Sequence, residues 1–164
     1  MNMANDNQKR LRKNVHLKSF DYKDPHSVYF LTICTANKQR LFFDDRIANI
    51  IVDQLKFRRR ANEIRLFCYC IMPDHLHLLL SLGESYGKTL PNWISAFKRN
   101  SARSINEIVS IKELWQRNFY DHVIRKDESL LKIGEYILNN PVRKGIVMEW
   151  KEYPYSRIVD EFPV

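Results

Sequence analysis

The sequence predicts an α+β fold, an antiparallel β-sheet with helices packed on one face, and three observations predict it. Short runs rich in β-branched and aromatic residues alternate with longer runs of helical periodicity, in the order strand, helix, strand, strand, helix, strand, helix. Four glycines and six prolines in 164 residues are too few for a loop-built or repetitive chain. A content of 45% hydrophobic and 28% charged residues suits one domain that buries roughly two-thirds of its unfolded surface.

Ser27–Thr35 reads as the first strand on its Val, Tyr, Phe, Thr and Ile content. Asp44 or Asp45 caps a helix to about Asn62, with Ile47, Ile50, Ile51, Gln54, Leu55 and Arg58 at helical spacing. Arg65–Cys70 and His75–Ser81 read as two strands joined through Pro73, which cannot donate to a sheet ladder and so fits a strand start, bulge or turn. Thr89 to about Ile108 is a second helix with Pro91 in its first turn. A short strand follows around Phe119–Ile124. Asp127 or Ser129 then caps a third helix, which runs to about Asn140 and is stopped by Pro141. Trp150, Tyr153 and Tyr155 belong to a closing segment that packs back on the domain. This succession is that of a ferredoxin-like sandwich. The single domain is expected over 27–164, behind a flexible basic arm, 1–26, that carries Lys9, Arg10, Arg12, Lys13 and Lys18.

Net charge is +8 and the pI near 9.5, which points to a polyanionic partner, nucleic acid first and an anionic membrane surface second. No apolar run approaches the ~20 residues of a membrane span, and Met1–Lys13 lacks the apolar segment of a secretory signal. Cys34, Cys68 and Cys70 are odd in number and sit inside predicted strands, so reduced core thiols in a cytoplasmic, nucleoid-associated protein are expected.

The chemistry begins at His75-Leu76-His77. Alternation along a strand points both imidazoles the same way, giving two arms of a divalent-metal site; half-buried structural histidines are the plainer alternative. On the third helix, Tyr136 and Asn140 are four apart and share a face, with Lys132 one turn earlier. A phenol of pKa ~10 is a poor nucleophile at neutral pH, and it becomes useful when a metal polarises the phosphate it attacks. The Asn140 amide oxygen can join the two histidines on a hard cation such as Mg²⁺ or Mn²⁺. Taken singly, Tyr136 is an ordinary helix tyrosine and Asn139-Asn140-Pro141 an ordinary helix stop.

Together, Met72-Pro73-Asp74-His75-Leu76-His77, Trp115-Gln116-Arg117, Tyr120-Asp121-His122, Arg125 and Tyr136-Ile137-Leu138-Asn139-Asn140-Pro141-Val142 with Gly145 resemble the HUH single-tyrosine transposases, closest to the branch called REP-associated tyrosine transposases. The resemblance runs from about Tyr29 to Arg157. It implies a ferredoxin-like or RRM-like sheet, with His75 and His77 as metal ligands, Asn140 as the added ligand and Tyr136 as nucleophile. It further implies cleavage of single-stranded DNA beside small hairpins through a 5′-phosphotyrosine, with release of a 3′-hydroxyl and no need of ATP. Arg125, His122, Lys132, Arg99, Arg58 and Arg59 are the candidate DNA-contacting residues, and Trp115, Phe119 and Tyr120 are candidates to stack on bases. A homodimer and a monomer are both compatible with the family. The competing readings are a non-catalytic nucleic-acid-binding module, which the intact His75, His77, Tyr136 and Asn140 set disfavours, and a replication-initiation or relaxase enzyme, which the short chain disfavours.

Overall fold

A computed structural model describes residues 19–163. Its sheet comprises β1 (Val28–Cys34), β2 (Ile64–Met72), β3 (His75–Leu82), β4 (Tyr120–Val123) and β5 (Ser156–Ile158). Every pairing is antiparallel and the order across the sheet is β4-β1-β3-β2-β5. The helices are α1 (Asp45–Arg60), α2 (Leu90–Asn106), α3 (Leu130–Leu138) and the single turn α4 (Asn140–Arg143). The expected antiparallel α+β architecture is what forms. The closing segment adds a strand, β5, at the β2 edge.

Local chemistry places these boundaries. The Asp44 carboxylate accepts the Arg46 N–H at the start of α1, Thr89 accepts from Asn92 at α2, and Ser129 accepts from Lys132 at α3. Ile47, Ile51 and Leu55 form the buried stripe of α1, and Trp93, Ile94, Phe97, Ser101 and Ile105 that of α2. Pro73 and Asp74 make the two-residue turn between β2 and β3, with Met72 directly opposite His75.

Alternation gives the sheet two unlike faces. Tyr29, Leu31 and Ile33 of β1 and Leu76, Leu78 and Leu80 of β3 are fully buried on one. Tyr22 stacks on Tyr29 and its carbonyl accepts the Leu90 N–H at the head of α2, which puts that helix on this face. The other face carries Phe30, Thr32 and Cys34, then His75 and His77, then Cys68, Cys70 and Met72. One detail differs from the one-face expectation: α3 crosses this second face. A Cβ added at Gly134 would lie at ordinary contact distance, 3.9 Å, from Cys68 Sγ and 2.7 Å from the tip of the Phe162 ring, so a larger residue there would need Phe162 to move.

Residues 19–26, expected to belong to the arm over 1–26, pack on the domain. Phe20 and Tyr22 pack on Tyr29, and the Tyr22 hydroxyl donates to Asp121 at 3.1 Å. Apolar burial holds 19–26 to the domain, while Lys9, Arg10, Arg12, Lys13 and Lys18 lie outside the described residues. The third helix also ends sooner than read. It stops at Leu138, and Pro141, which has no N–H to donate, sits in the first turn of α4 instead of terminating α3.

Candidate active site

The two histidines share the sheet face that α3 crosses. Their rings lie 4.8 Å apart, centroid to centroid. Each is held through Nδ1: that of His75 lies 2.6 Å from Asp74 Oδ1, and that of His77 lies 2.9 Å from Thr32 Oγ1. Fixing Nδ1 sets the ring orientation and would leave Nε2 as the atom to ligate a metal, as supporting residues do around metal-binding histidines. Burial, with smaller contributions from His75 and Arg143, pushes the pKa of His77 down to about 3, so this imidazole stays neutral with its lone pair available. Cys70 stands opposite His77, and burial raises its thiol to about 11 and that of Cys68 to about 12, so both are protonated at neutral pH. Among the described residues no group of three or more His, Cys, Asp or Glu could hold a metal. A cation on the histidine pair would need an amide, water or phosphate oxygen to complete its shell.

Asn140 offers such an amide. It is 3% exposed, and its side-chain nitrogen is buried without a hydrogen-bond partner. An orphaned buried amide is costly, and oxygen and nitrogen ends of an amide are assigned by their surroundings, so Asn140 carries an amide that a bound cation would satisfy through its oxygen. Asn140 does not share a continuous helix face with Tyr136. The break at Asn139 separates them, and Asn140 is buried while Tyr136 is 50% exposed.

Tyr136 projects from α3 onto the histidine face. Its ring centroid lies 6.4 Å from that of His77 and 6.1 Å from that of Phe30, which meets it edge-on. Phe30 also lies 5.4 Å from His77 and 6.2 Å from Tyr120, linking the phenol, the imidazole and an exposed tyrosine on β4. Arg143 was not singled out from the sequence, because it lies beyond the Asn-Pro break. Its guanidinium carbon stands 3.9 Å over the Tyr136 ring, and its Nη1 donates to the Tyr136 carbonyl at 2.8 Å. Thr32 and Phe30 were equally hidden, since only strand register brings them to His77. Asp74 was visible as the residue before His75.

The candidate DNA contacts separate. Lys132 is exposed on α3, one turn before Tyr136. His122 stands opposite Phe30 on β4 and pairs with Glu128 at 2.7 Å, and Arg125 is exposed in the turn after β4. Arg99 is exposed on α2, which packs on the opposite face, so the fold does not bring it to the histidines. Arg58 is a correction: it is 2% exposed, ion-paired to Glu63 at 2.6 Å and set 5.7 Å over the Trp93 ring, with no surface to offer DNA. Arg59 is bound to Asp160. Of the aromatics, Trp115 is buried, its indole N–H donating to Ser101, and Tyr120 is 50% exposed.

A family model described as IS200-like transposase matches residues 25–140. The chain belongs to this transposase family. An uncharacterized protein of Haemophilus influenzae is 31% identical over 165 residues, covering 80% of this chain and 88% of the relative. A second protein of that organism, whose name assigns it provisionally to the REP-associated tyrosine transposases, is 30% identical over 138 residues, covering 79% and 78%. Among solved structures, a REP-associated tyrosine transposase bound to a REP hairpin superposes with a TM-score of 0.66 at 20% identity, covering 85% of this chain and 81% of that one. It shows that this transposase has the same fold. No helix among the described residues is long and apolar enough to cross a membrane.

Proposed function

We propose that this transposase cuts and rejoins single-stranded DNA at hairpin-flanked sites, with Tyr136 as nucleophile. The observation that carries the reading is the placement of the half-exposed Tyr136 phenol 6.4 Å, ring to ring, from a histidine pair whose Nδ1 atoms are already engaged. In the proposed step the Tyr136 oxygen loses its proton and attacks phosphorus. The bond from phosphorus to the 3′ oxygen breaks, that oxygen leaves as a 3′-hydroxyl, and the 5′ phosphate stays on the tyrosine. The new ester conserves the energy of the broken one, so attack by another 3′-hydroxyl rejoins strands without ATP. His75, His77 and Asn140 would hold Mg²⁺ or Mn²⁺, which supplies Lewis-acid polarisation of the scissile phosphate when bound. Thr32 and Asp74 hold the imidazoles in their ligating orientation, and Phe30 limits the swing of the phenol. Lys132, Arg125 and the exposed Tyr120 line the approach for the strand.

The test is a covalent adduct. Wild-type protein incubated with a hairpin-bearing single-stranded oligonucleotide and Mn²⁺ is expected to carry DNA through a denaturing gel. Tyr136→Phe is expected to abolish the adduct, and His75→Ala or His77→Ala to reduce it severely. An adduct that persists in Tyr136→Phe refutes the nucleophile. Hairpin binding with no adduct in the wild type would favour a binding module.

A further inference from the structure

We propose that Arg143 pins the ring of Tyr136 and binds the phosphodiester that this tyrosine attacks. The inference rests on the reading of Tyr136 as nucleophile and adds a residue to it.

Arg143 is exposed, yet two contacts tie it to one residue: the guanidinium stacks 3.9 Å over the Tyr136 ring, and one N–H donates to the Tyr136 carbonyl at 2.8 Å. That carbonyl lies in the last turn of α3, where backbone acceptors run out of helical donors. A free arginine side chain samples many rotamers; here two attachments to the same residue hold the cation and the phenol as a unit.

Its charge is unspent. Arg46, Arg58 and Arg59 pair with Asp44, Glu63 and Asp160, whereas among the described residues no carboxylate pairs with Arg143. A guanidinium has five N–H donors in a planar fork, and one is committed here. The remainder match the two non-bridging oxygens of a phosphodiester, the anion for which this fork is best suited. A cation fixed on the nucleophile's own ring therefore presents donors where the attacked phosphate must sit. It also lies where negative charge develops on the phenol oxygen and the phosphoryl group during attack.

The experiment is single-turnover adduct formation in Mn²⁺ at saturating DNA, with Rp and Sp phosphorothioates at the scissile phosphate. Arg143→Gln is expected to slow the step on the order of 10²-fold, and Arg143→Lys to restore part of the rate. Wild-type protein is expected to prefer one diastereomer, and Arg143→Gln to lose the part of that preference which comes from the guanidinium. A second arm uses protein labelled with 3-fluorotyrosine, in which the Tyr136 resonance is identified by its loss in Tyr136→Phe. Arg143→Gln is expected to shift and narrow that resonance as the ring gains freedom, with an unchanged thermal melt showing that the fold is intact. Wild-type rate and diastereomer preference in Arg143→Gln overturn the phosphate contact, and an unmoved fluorine resonance overturns the clamp. If wild-type protein forms no adduct, the nucleophile reading fails and takes the phosphate contact with it, while the fluorine arm still reports on the clamp.

Discussion

Thr32 offers a sharp test of how the histidine pair is built. Its hydroxyl lies 2.9 Å from His77 Nδ1, and His77 itself is only 7% exposed, so water cannot readily replace that contact. For Nε2 to act as a ligand the proton must sit on Nδ1, and Thr32 Oγ1 is then its acceptor. Thr32→Val keeps the shape of the side chain and removes the acceptor. Leaving the buried N–H unmet costs about 1–3 kcal/mol. The ring is also freed to take the other tautomer, which would place the proton on the ligand atom. Loss of such an orienting partner lowers metal affinity about 10–100-fold, equivalent to about 1.4–2.7 kcal/mol. The assay is a titration of Mn²⁺ into protein, followed by the electron paramagnetic resonance signal of the free ion. Thr32→Ser, which keeps the hydroxyl, is expected to bind nearly as wild type, Thr32→Val more weakly, and His77→Ala weakest. Wild-type affinity in Thr32→Val alongside loss in His77→Ala would refute the orienting role. Absence of binding in the wild type would refute the metal site itself.

Other consequences follow from the same structure. Burial holds the pKa of His77 at about 3, whereas an unfolded imidazole titrates near ~6.5. The unfolded chain therefore takes up this proton first, so the contribution to stability is complete above about pH 6.5 and is lost at about 1.4 kcal/mol per pH unit as pH falls toward 3. Denaturant midpoints across that window should show the slope, and His77→Asn should flatten it. Glu63→Ala strands the buried Arg58 guanidinium and should cost about 3–5 kcal/mol in urea unfolding; a change in DNA affinity without loss of stability would contradict the structural role assigned to the pair. Tyr120→Leu should weaken binding of single-stranded DNA by about 1–3 kcal/mol, with Tyr120→Phe close to wild type. Equal affinities for Tyr120→Leu and wild type in fluorescence anisotropy would remove Tyr120 from the binding surface.

The sequence by itself determined most of the elements and named the candidate site residues, but not the edge strand β5 or the short helix α4. Caps such as Ser129, stripes such as Ile47, Ile51 and Leu55, and the alternation that points His75 and His77 together are local properties, set by helical and strand periodicity within a few residues. Tyr136 was legible as part of a motif. Tertiary structure decided everything that depends on register and burial. That Thr32 faces His77 follows from the pairing of β1 with β3, which no window of sequence contains. Arg58 and Arg59 are adjacent candidates for DNA contact in the sequence, yet Arg58 turns inward to Glu63 and Trp93 while Arg59 reaches Asp160 across the fold. A charge in sequence does not reveal which side of a helix the core will occupy, nor which distant carboxylate will meet it. Beyond the break at Asn139, Asn140 is buried and Arg143 lies over the Tyr136 ring with its guanidinium on the Tyr136 carbonyl, a return that no helical periodicity within the motif announces. The residues proposed to carry the chemistry could be named from the chain, but the contacts that hold them in place could be found only after the strands were paired and the helices set down.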